Sequence, residues 1–299
     1  MNVLVAGGSG FIGSALTAHL MERGHFVSHL SRRPARPGGG VRVHSWDPAR
    51  GELDPAALEG IHAVVNLAGE NLAEGRWSGE RKRRLVESRV QSTRLLVTRM
   101  GERKAPWVLV NPSAVGYYGN RGDELLTEES HPGAGFLADL ARAWEETALS
   151  ARAEGARVAV LRFGIVLSAR GGALAKMLPI FKLGIGGPLG NGRQWMSWVA
   201  LRDVIQVIEL ALTREEVGSP VNVVAPAPVR NRDFARALGR VLRRPSIVPA
   251  PAPALRLILG EMADEALLSS ACVASPRLAS LGYRFAFEDL DRALRAELS

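Results

Sequence analysis

The sequence has a single cysteine, Cys272, among 299 residues. An internal disulfide framework is therefore excluded, and we expect a reducing, cytoplasmic environment. No stretch approaches the roughly 20 consecutive apolar residues that a membrane-spanning helix needs. The amino end lacks the basic segment of a secretory signal peptide and begins directly with an apolar run. Neither a signal peptide nor a membrane partner is predicted.

Patterns typical of nucleic-acid recognition, zinc binding and the P-loop are also missing. The net charge is +8, from 38 basic and 30 acidic side chains. The densest basic cluster, residues 81–84, has Glu80 and Glu87 beside it, which is typical of a solvated helix face. We therefore predict no nucleic-acid partner and no bound metal. The positive balance is equally consistent with anionic small molecules and with an arginine-rich genome.

The amino end holds the most informative motif. An apolar run over residues 3–6 predicts a buried parallel strand, and Gly7, Gly10 and Gly13 follow it at the spacing G-x-x-G-x-x-G. Glycines in such a turn let the backbone approach a pyrophosphate with no Cβ in the way. The alternative interpretation is a purely structural glycine turn.

An amphipathic helix is predicted to follow this turn and to end at Gly24. Its apolar positions recur at helical spacing, at Ile12, Leu16 and Leu20. The amino end of a helix offers unpaired N–H groups and a positive dipole, which favour a dinucleotide phosphate. We expect the turn and the first helical residues to bind the cofactor: Gly7, Gly10, Phe11, Ile12 and Gly13.

The end of the second strand predicts which dinucleotide binds. This strand is predicted over residues 26–30, and Ser31, Arg32 and Arg33 follow where an NAD site carries an acidic residue. A hydroxyl group and guanidinium groups suit a 2′-phosphate, because arginine forms charge-assisted hydrogen bonds to phosphate oxygens. We therefore predict NADP(H), with Ser31 and Arg32 as ligands. The alternative is a pair of surface arginines in a turn, before a loose loop over residues 34–40.

Apolar runs alternate with helical patterns along the chain, which predicts a doubly wound parallel α/β sheet. A strand over residues 63–69 would end beside the glycine turn, so Leu67, Ala68 and Gly69 are expected to contact the cofactor. Arg89 lies beside the apolar stripe of a long helix predicted over residues 79–100. It faces either the cofactor or water.

A predicted strand over residues 107–110 leads into Asn-Pro-Ser-Ala-Val-Gly-Tyr-Tyr-Gly at 111–119. Together with the glycine turn and Asn-Leu-Ala-Gly at 66–69, this segment resembles the extended short-chain dehydrogenase/reductase superfamily, which includes the sugar-nucleotide epimerases. The chain is more closely similar to the "epimerase family protein" group, which contains the human SDR family 39 member and bacterial relatives with a C-terminal domain of unknown function. The segments that carry this finer match span nearly the whole chain: 66–71, 88–89, 114–119, 171–174, 183–190 and 194–198.

The resemblance implies an NAD(P)-binding Rossmann fold with a smaller C-terminal substrate lobe. The Rossmann domain is expected over residues 1–165 with 203–225 returning to it, and the lobe over 166–202 and 226–299. An apolar strand over residues 158–167 is expected to border the nicotinamide, with Val166 as a contact. A homodimer through the helices around residues 81–100 and 136–148 is a further expectation.

The resemblance also identifies a departure from the superfamily. Its members use Tyr-x-x-x-Lys, with a Ser or Thr one strand away, and the lysine and the cofactor's positive ring lower the pKa of the tyrosine. In this chain Phe136 and Leu140 stand at the Tyr and Lys positions. Ala114 stands at the hydroxyl position, and Ser113 precedes it. Since neither phenylalanine nor leucine transfers a proton, the standard mechanism is excluded.

Two functions remain open at this stage. The first is an NADP(H)-dependent oxidoreductase or epimerase-like enzyme for an unknown small substrate, in which Ser113 orients a carbonyl and Tyr117 or water donates the proton. Tyr117 otherwise serves only in loop packing. The alternative is a non-catalytic NADP(H)-binding sensor or regulatory module, which the missing acid/base pair favours. Sugar-nucleotide epimerisation is disfavoured, because it uses that same tyrosine.

Overall fold

The computed structural model describes residues 1–33, 40–103, 106–218 and 220–298. Most of the loop expected over residues 34–40 lies outside the described residues. The helices are α1 (Phe11–Glu22), α2 (Gly79–Gly101), α3 (Phe136–Leu149), α4 (Gly172–Lys182), α5 (Leu201–Thr213), α6 (Asn231–Leu242), α7 (Ala252–Leu259), α8 (Pro276–Ser280) and α9 (Leu290–Leu298).

The strands alternate with these helices from the amino end onward. They are β1 (Asn2–Ala6), β2 (Phe26–Ser31), β3 (Arg42–Asp47), β4 (Glu52–Leu53), β5 (Ala63–Asn66), β6 (Trp107–Ala114), β7 (Leu125–Leu126), β8 (Ala156–Phe163), β9 (Ile165–Leu167), β10 (Trp195–Met196), β11 (Trp198–Ala200), β12 (Val221–Val223), β13 (Val229–Arg230) and β14 (Cys272–Val273).

The main sheet contains eight of the described strands, in the order β12-β8-β6-β5-β1-β2-β3-β4. Its neighbours pair in parallel except β4, which is antiparallel to β3. Strand β1 is buried on both faces: Val3 and Val5 pack with α1 and α5, whereas Leu4 and Ala6 face the side that α2 and α3 cover. A parallel strand covered on both faces needs a continuous apolar run. The predicted doubly wound α/β fold is confirmed.

The strand predicted over residues 158–167 is interrupted. Strand β8 ends at Phe163 and β9 begins at Ile165, because the chain turns at Gly164 out of the main sheet. A Cβ on Gly164 would lie 2.4 Å from the carbonyl oxygen of Ser197, so only glycine fits there. Strand β9 then pairs in parallel with β11 instead of continuing beside β12.

A second core fills the C-terminal part of the fold. It is built by buried apolar side chains of α4, β11, α6 and α9, among them Leu174, Trp198, Phe234 and Leu294. Trp198 is 0% exposed and therefore serves packing. No helix in the described part of the chain is long and apolar enough to cross a bilayer.

Candidate functional site

The glycine turn joins the end of β1 to α1, and neighbouring backbone leaves no room for side chains at two of its positions. Gly7 has a φ of +78°, and a Cβ on it would lie 2.6 Å from the carbonyl oxygen of Leu67. A Cβ on Gly13 would lie 2.3 Å from the carbonyl oxygen of Gly7. Backbone therefore approaches backbone at both positions, and the glycines are required by the geometry of the turn.

The amino end of α1 is open. Gly10 is its N-cap, no side chain caps it, and its first turn carries no acidic residue. The first N–H groups of a helix have no intrahelical partner, and the dipole makes this end positive. The turn and the helix end thus fit a pyrophosphate, which supports the interpretation of this region as a dinucleotide site.

A cavity of about 630 Å³ lies over the glycine turn and the ends of β2 and β5. It brings together seven of the residues predicted to bind the cofactor: Gly7, Gly10, Ser31, Arg32, Leu67, Ala68 and Gly69. Four further lining residues were not predicted as ligands: Ser9, Leu30, Arg33 and Trp46. A second cavity of about 270 Å³ adjoins it and shares Arg32, Trp46, Ala68 and Gly69.

Arg32 and Arg33 are exposed at the end of β2, and the backbone N–H of Arg33 donates to Ser31 Oγ over 3.0 Å. Within the described residues, neither guanidinium forms an ion pair, whereas other exposed arginines such as Arg50 and Arg83 do. Two uncompensated cations therefore stand at one rim of the larger cavity. Their placement suits an anionic group such as a ribose 2′-phosphate.

Other predicted cofactor ligands do not line either cavity. Gly13 lies inside the turn, and the side chain of Ile12, on α1, packs against the core. Phe11 turns towards Gly171, whose Cβ would lie 2.7 Å from Phe11 Cβ. Val166 is half-buried on β9, and its carbonyl oxygen lies near Gly172. These residues stand behind or beside the cavities, and direct contact of Phe11, Ile12 and Val166 with a cofactor stays a prediction.

Arg89 lies behind the cavity wall rather than in it. Its guanidinium is buried and donates to the carbonyl oxygens of Leu85 (3.1 Å) and Glu70 (3.0 Å). It also lies 5.3 Å from the ring of Trp144, and a Cβ on Gly69 would be 3.1 Å from its Cζ. Burial lowers the pKa of Arg89 to about 10. The side chain faces neither water nor an open cavity and fixes the backbone after β5.

Ser113 belongs to a buried polar network between β6, α3 and β8. Its hydroxyl donates to Glu145 Oε1 over 2.6 Å. Glu145 also accepts two hydrogen bonds of 2.8 Å from Nε and Nη2 of Arg162. Burial alone would lower the pKa of Arg162, but its hydrogen bonds and charge interaction with Glu145 raise it above its usual value. The hydroxyl of Ser113 is thus engaged with a charged pair inside the protein.

The two tyrosines after β6 extend this network. Arg162 Nη1 donates to Tyr118 Oη over 2.9 Å, and that hydroxyl donates to Asn222 Oδ1 over 2.7 Å. Tyr118 is 0% exposed, and burial raises its pKa. Tyr117 is half-buried, and its ring lies 3.5 Å from the Arg162 guanidinium carbon. A cation this close to an aromatic face holds the ring in a defined position.

Glu145 and Arg162 were not identified as site residues from the sequence. One signal was available: Arg162 is the only charge between residues 158 and 167, in an otherwise apolar run. A charge in a buried strand requires a buried partner. The sequence does not show which acidic residue supplies it, since Glu145 lies on a different element.

The positions of the missing acid/base pair are apolar. The ring of Phe136 lies 5.1 Å from that of Trp77 in an edge-to-face arrangement, in a cluster with Met262. Leu140 is 4% exposed. Glu265 Oε2 accepts a hydrogen bond of 3.1 Å from the backbone N–H of Leu137, which ties α3 to the C-terminal part of the chain.

Comparison with known proteins decides the family. The model of the NAD dependent epimerase/dehydratase family matches residues 3–224, and a domain of unknown function, DUF1731, matches residues 250–297. The chain belongs to the NAD-dependent epimerase/dehydratase family. Among its relatives, the human epimerase family protein SDR39U1 is 36% identical over 305 residues, covering 99% of both chains. An epimerase family protein of Mycobacterium tuberculosis is 42% identical over 292 residues, covering 98% of this chain and 96% of its own.

Two solved structures agree with the fold. The crystal structure of human SDR39U1 (isoform 2) with NADPH has a TM-score of 0.89 and 33% identity, covering 99% of this chain and 98% of its own. The UDP-glucose 4-epimerase of Thermus thermophilus, in complex with NAD, has a TM-score of 0.76 at 21% identity, covering 99% of this chain and 98% of its own. The second match shows the fold alone. The predicted Rossmann fold and the resemblance to the SDR family 39 group are confirmed.

Proposed function

We propose that this protein is an NADP(H)-dependent oxidoreductase or epimerase-like enzyme that acts on a small substrate. The observation that carries the proposal is the cavity over the glycine turn, with Arg32 and Arg33 unpaired among the described residues at its rim. No acidic side chain stands at the end of β2 to accept a hydrogen bond from an unmodified ribose. The NADPH in the structure of human SDR39U1 supports the same preference.

A bound nicotinamide supplies a hydride donor or acceptor. What the chain itself must supply is a proton donor, and the candidate is Tyr117, a half-buried phenol in the turn after β6. Arg162 lies 3.5 Å from the centre of this ring and holds it in a defined position. Ser113 acts as a positioning residue in this proposal, because its hydroxyl holds Glu145 and, through it, Arg162.

The first experiment is a fluorescence titration of the purified protein with NADPH and with NADH. Saturable binding of NADPH with much weaker binding of NADH is the expected result, and it justifies a screen of carbonyl compounds for NADPH oxidation. Failure to bind either cofactor would remove the enzyme proposal, since the glycine turn would then serve the fold alone.

The Tyr117→Phe variant tests the chemistry once a substrate is found. The variant keeps the aromatic ring over Arg162 and removes only the hydroxyl. Turnover is expected to fall about 10²- to 10⁴-fold, the usual contribution of a positioned proton donor, while NADPH affinity stays unchanged. An unchanged rate would exclude Tyr117 from the mechanism and leave water as the donor.

A second candidate function is a non-catalytic NADP(H)-binding sensor. The observation that favours it is the apolar packing at Phe136 and Leu140, where the superfamily carries its acid/base pair. Tight NADPH binding without turnover on any carbonyl class would support this alternative over the enzyme.

A further inference from the structure

The C-terminal part of the fold exposes apolar side chains on three segments: the end of α4 with the loop after it, the connector over residues 244–250, and α7. Their exposure ranges from 49% to 82%. We call these residues the apolar patch: Ile180, Leu183, Ile185, Ile247, Val248, Leu257 and Ile258. Helix α7 has no buried residue at all. Single exposed apolar residues are common, but a group of this size on neighbouring segments marks an interaction surface.

The three segments are connected. The backbone N–H of Val248 donates to the carbonyl oxygen of Gly186 over 3.2 Å, and that of Ala250 donates to Pro188 over 2.9 Å. A Cβ on Gly184 would lie 3.5 Å from Pro245. The loop and the connector therefore lie side by side, and α7 begins two residues after Ala250, at the end of the connector.

The segments that carry the apolar patch contain basic side chains and no acidic ones. Residues 155–202 and 234–260 contain no aspartate or glutamate. Lys182, Arg243 and Arg244 are exposed and form no ion pair with any described residue. Arg240 and Arg256 do pair, with Asp291 and Asp264, so the neighbouring acidic side chains are already engaged. The apolar patch is therefore bordered by uncompensated positive charge.

We propose that the apolar patch docks on an anionic membrane surface. Apolar side chains enter the boundary between headgroups and acyl chains, and the adjoining lysine and arginines contact lipid phosphates. A second copy of the chain fits less well, since a contact through this face brings Lys182, Arg243 and Arg244 of two copies together. The sequence had predicted no membrane partner. The docking proposed here is peripheral, which needs no spanning helix.

The test is co-sedimentation of the protein with phosphatidylcholine vesicles, with and without phosphatidylglycerol. The variant is the double substitution Leu257→Ser and Ile258→Ser. Phe26→Ser is the matched control, because Phe26 is as exposed as Leu257, at 77%, and lies at the start of β2 far from the patch in the sequence. Neither variant removes a buried side chain, and thermal unfolding checks that both stay folded.

Binding is expected only to vesicles with phosphatidylglycerol, to weaken with salt, and to fall at least tenfold in the double variant while the control binds normally. Absence of binding to anionic vesicles, or equal binding by the double variant, would overturn the proposal.

Light scattering on the free protein is the second measurement. A dimer that the double variant dissociates would assign the patch to a second copy instead.

Discussion

At the residue scale, the close contacts in the glycine turn make a direct prediction. Gly13→Ala would force a methyl group to within 2.3 Å of the Gly7 carbonyl oxygen. Such overpacking costs about 1–3 kcal/mol and displaces the turn, so NADPH binding is expected to weaken as well. Gly79→Ala is the control, because a Cβ there meets no atom within 4 Å. Thermal unfolding and NADPH titration measure both effects, and similar losses in the two variants would contradict the prediction.

Arg32 carries the second prediction at this scale. Removing its guanidinium with Arg32→Ala takes away charge-assisted hydrogen bonds of about 1.5–3 kcal/mol from a bound 2′-phosphate. Affinity for NADPH is therefore expected to fall about tenfold or more, while NADH, which lacks that phosphate, is affected little. Titration of the variant with both cofactors makes the measurement. Equal losses would show that Arg32 does not contact the phosphate.

At the scale of elements, the pair Glu145–Arg162 joins α3 to β8. Both side chains are nearly fully buried, at 5% and 4% exposure. Removing one charge leaves the other without compensation, so Glu145→Gln is expected to lower the free energy of unfolding by about 3–5 kcal/mol.

The same helix offers the control for that variant. Asp139 pairs with Arg142 over 2.8 Å, at side-chain exposures of 62% and 50%. Asp139→Asn is expected to change stability by less than about 1 kcal/mol, because exposed pairs contribute little. Urea denaturation compares the two variants. A loss at Glu145 no larger than that at Asp139 would mean that the buried pair does not hold the two elements together.

The elements differ in how far the sequence predicted them. The turn, α1 and the parallel strands were predictable because burial on two faces requires apolar runs, and a backbone contact requires glycine. The break at Gly164 was not, since it depends on Ser197, which lies more than thirty residues later in the chain. Five of the cavity-lining residues near β2 and β5 were predicted from strand ends alone: Ser31, Arg32, Leu67, Ala68 and Gly69. Trp46 was not predicted as a lining residue. It reaches the cavity because β3 lies beside β2 in the sheet, and the sequence does not show that order.

At the scale of the whole molecule, Asp203 links the C-terminal part of the chain to α5, which packs on the main sheet. Its Oδ1 accepts hydrogen bonds from Tyr283 Oη (2.8 Å) and from the backbone N–H of Ala286 (2.7 Å). Burial raises the pKa of Asp203. The domain limits expected from the sequence stay a prediction, and this contact shows that the segment after residue 276 also packs against α5.

Tyr283→Phe tests this link. It removes one hydrogen bond to a buried carboxyl group and is expected to cost about 1–3 kcal/mol, with earlier cleavage of the C-terminal segment by trypsin. Tyr283 also stacks edge-to-face on Phe285 at 4.9 Å, a contact that the phenylalanine keeps. Unchanged proteolysis together with an unchanged melting temperature would show that the segment is held by apolar packing alone.

The apolar cluster around Phe136 also limits how this chain could change over evolutionary time. Phe136→Tyr and Leu140→Lys would restore the superfamily's residue types, but the new ammonium group would enter a position that is now 4% exposed. The new hydroxyl would lie in the cluster with Trp77 and Met262, which are both 7% exposed. A working acid/base pair would therefore need more than these two substitutions, because Met262, in the C-terminal part of the chain, would have to be replaced at the same time. The neighbours of Phe136 and Leu140, as well as these two residues themselves, therefore disfavour the Tyr-x-x-x-Lys arrangement in this chain.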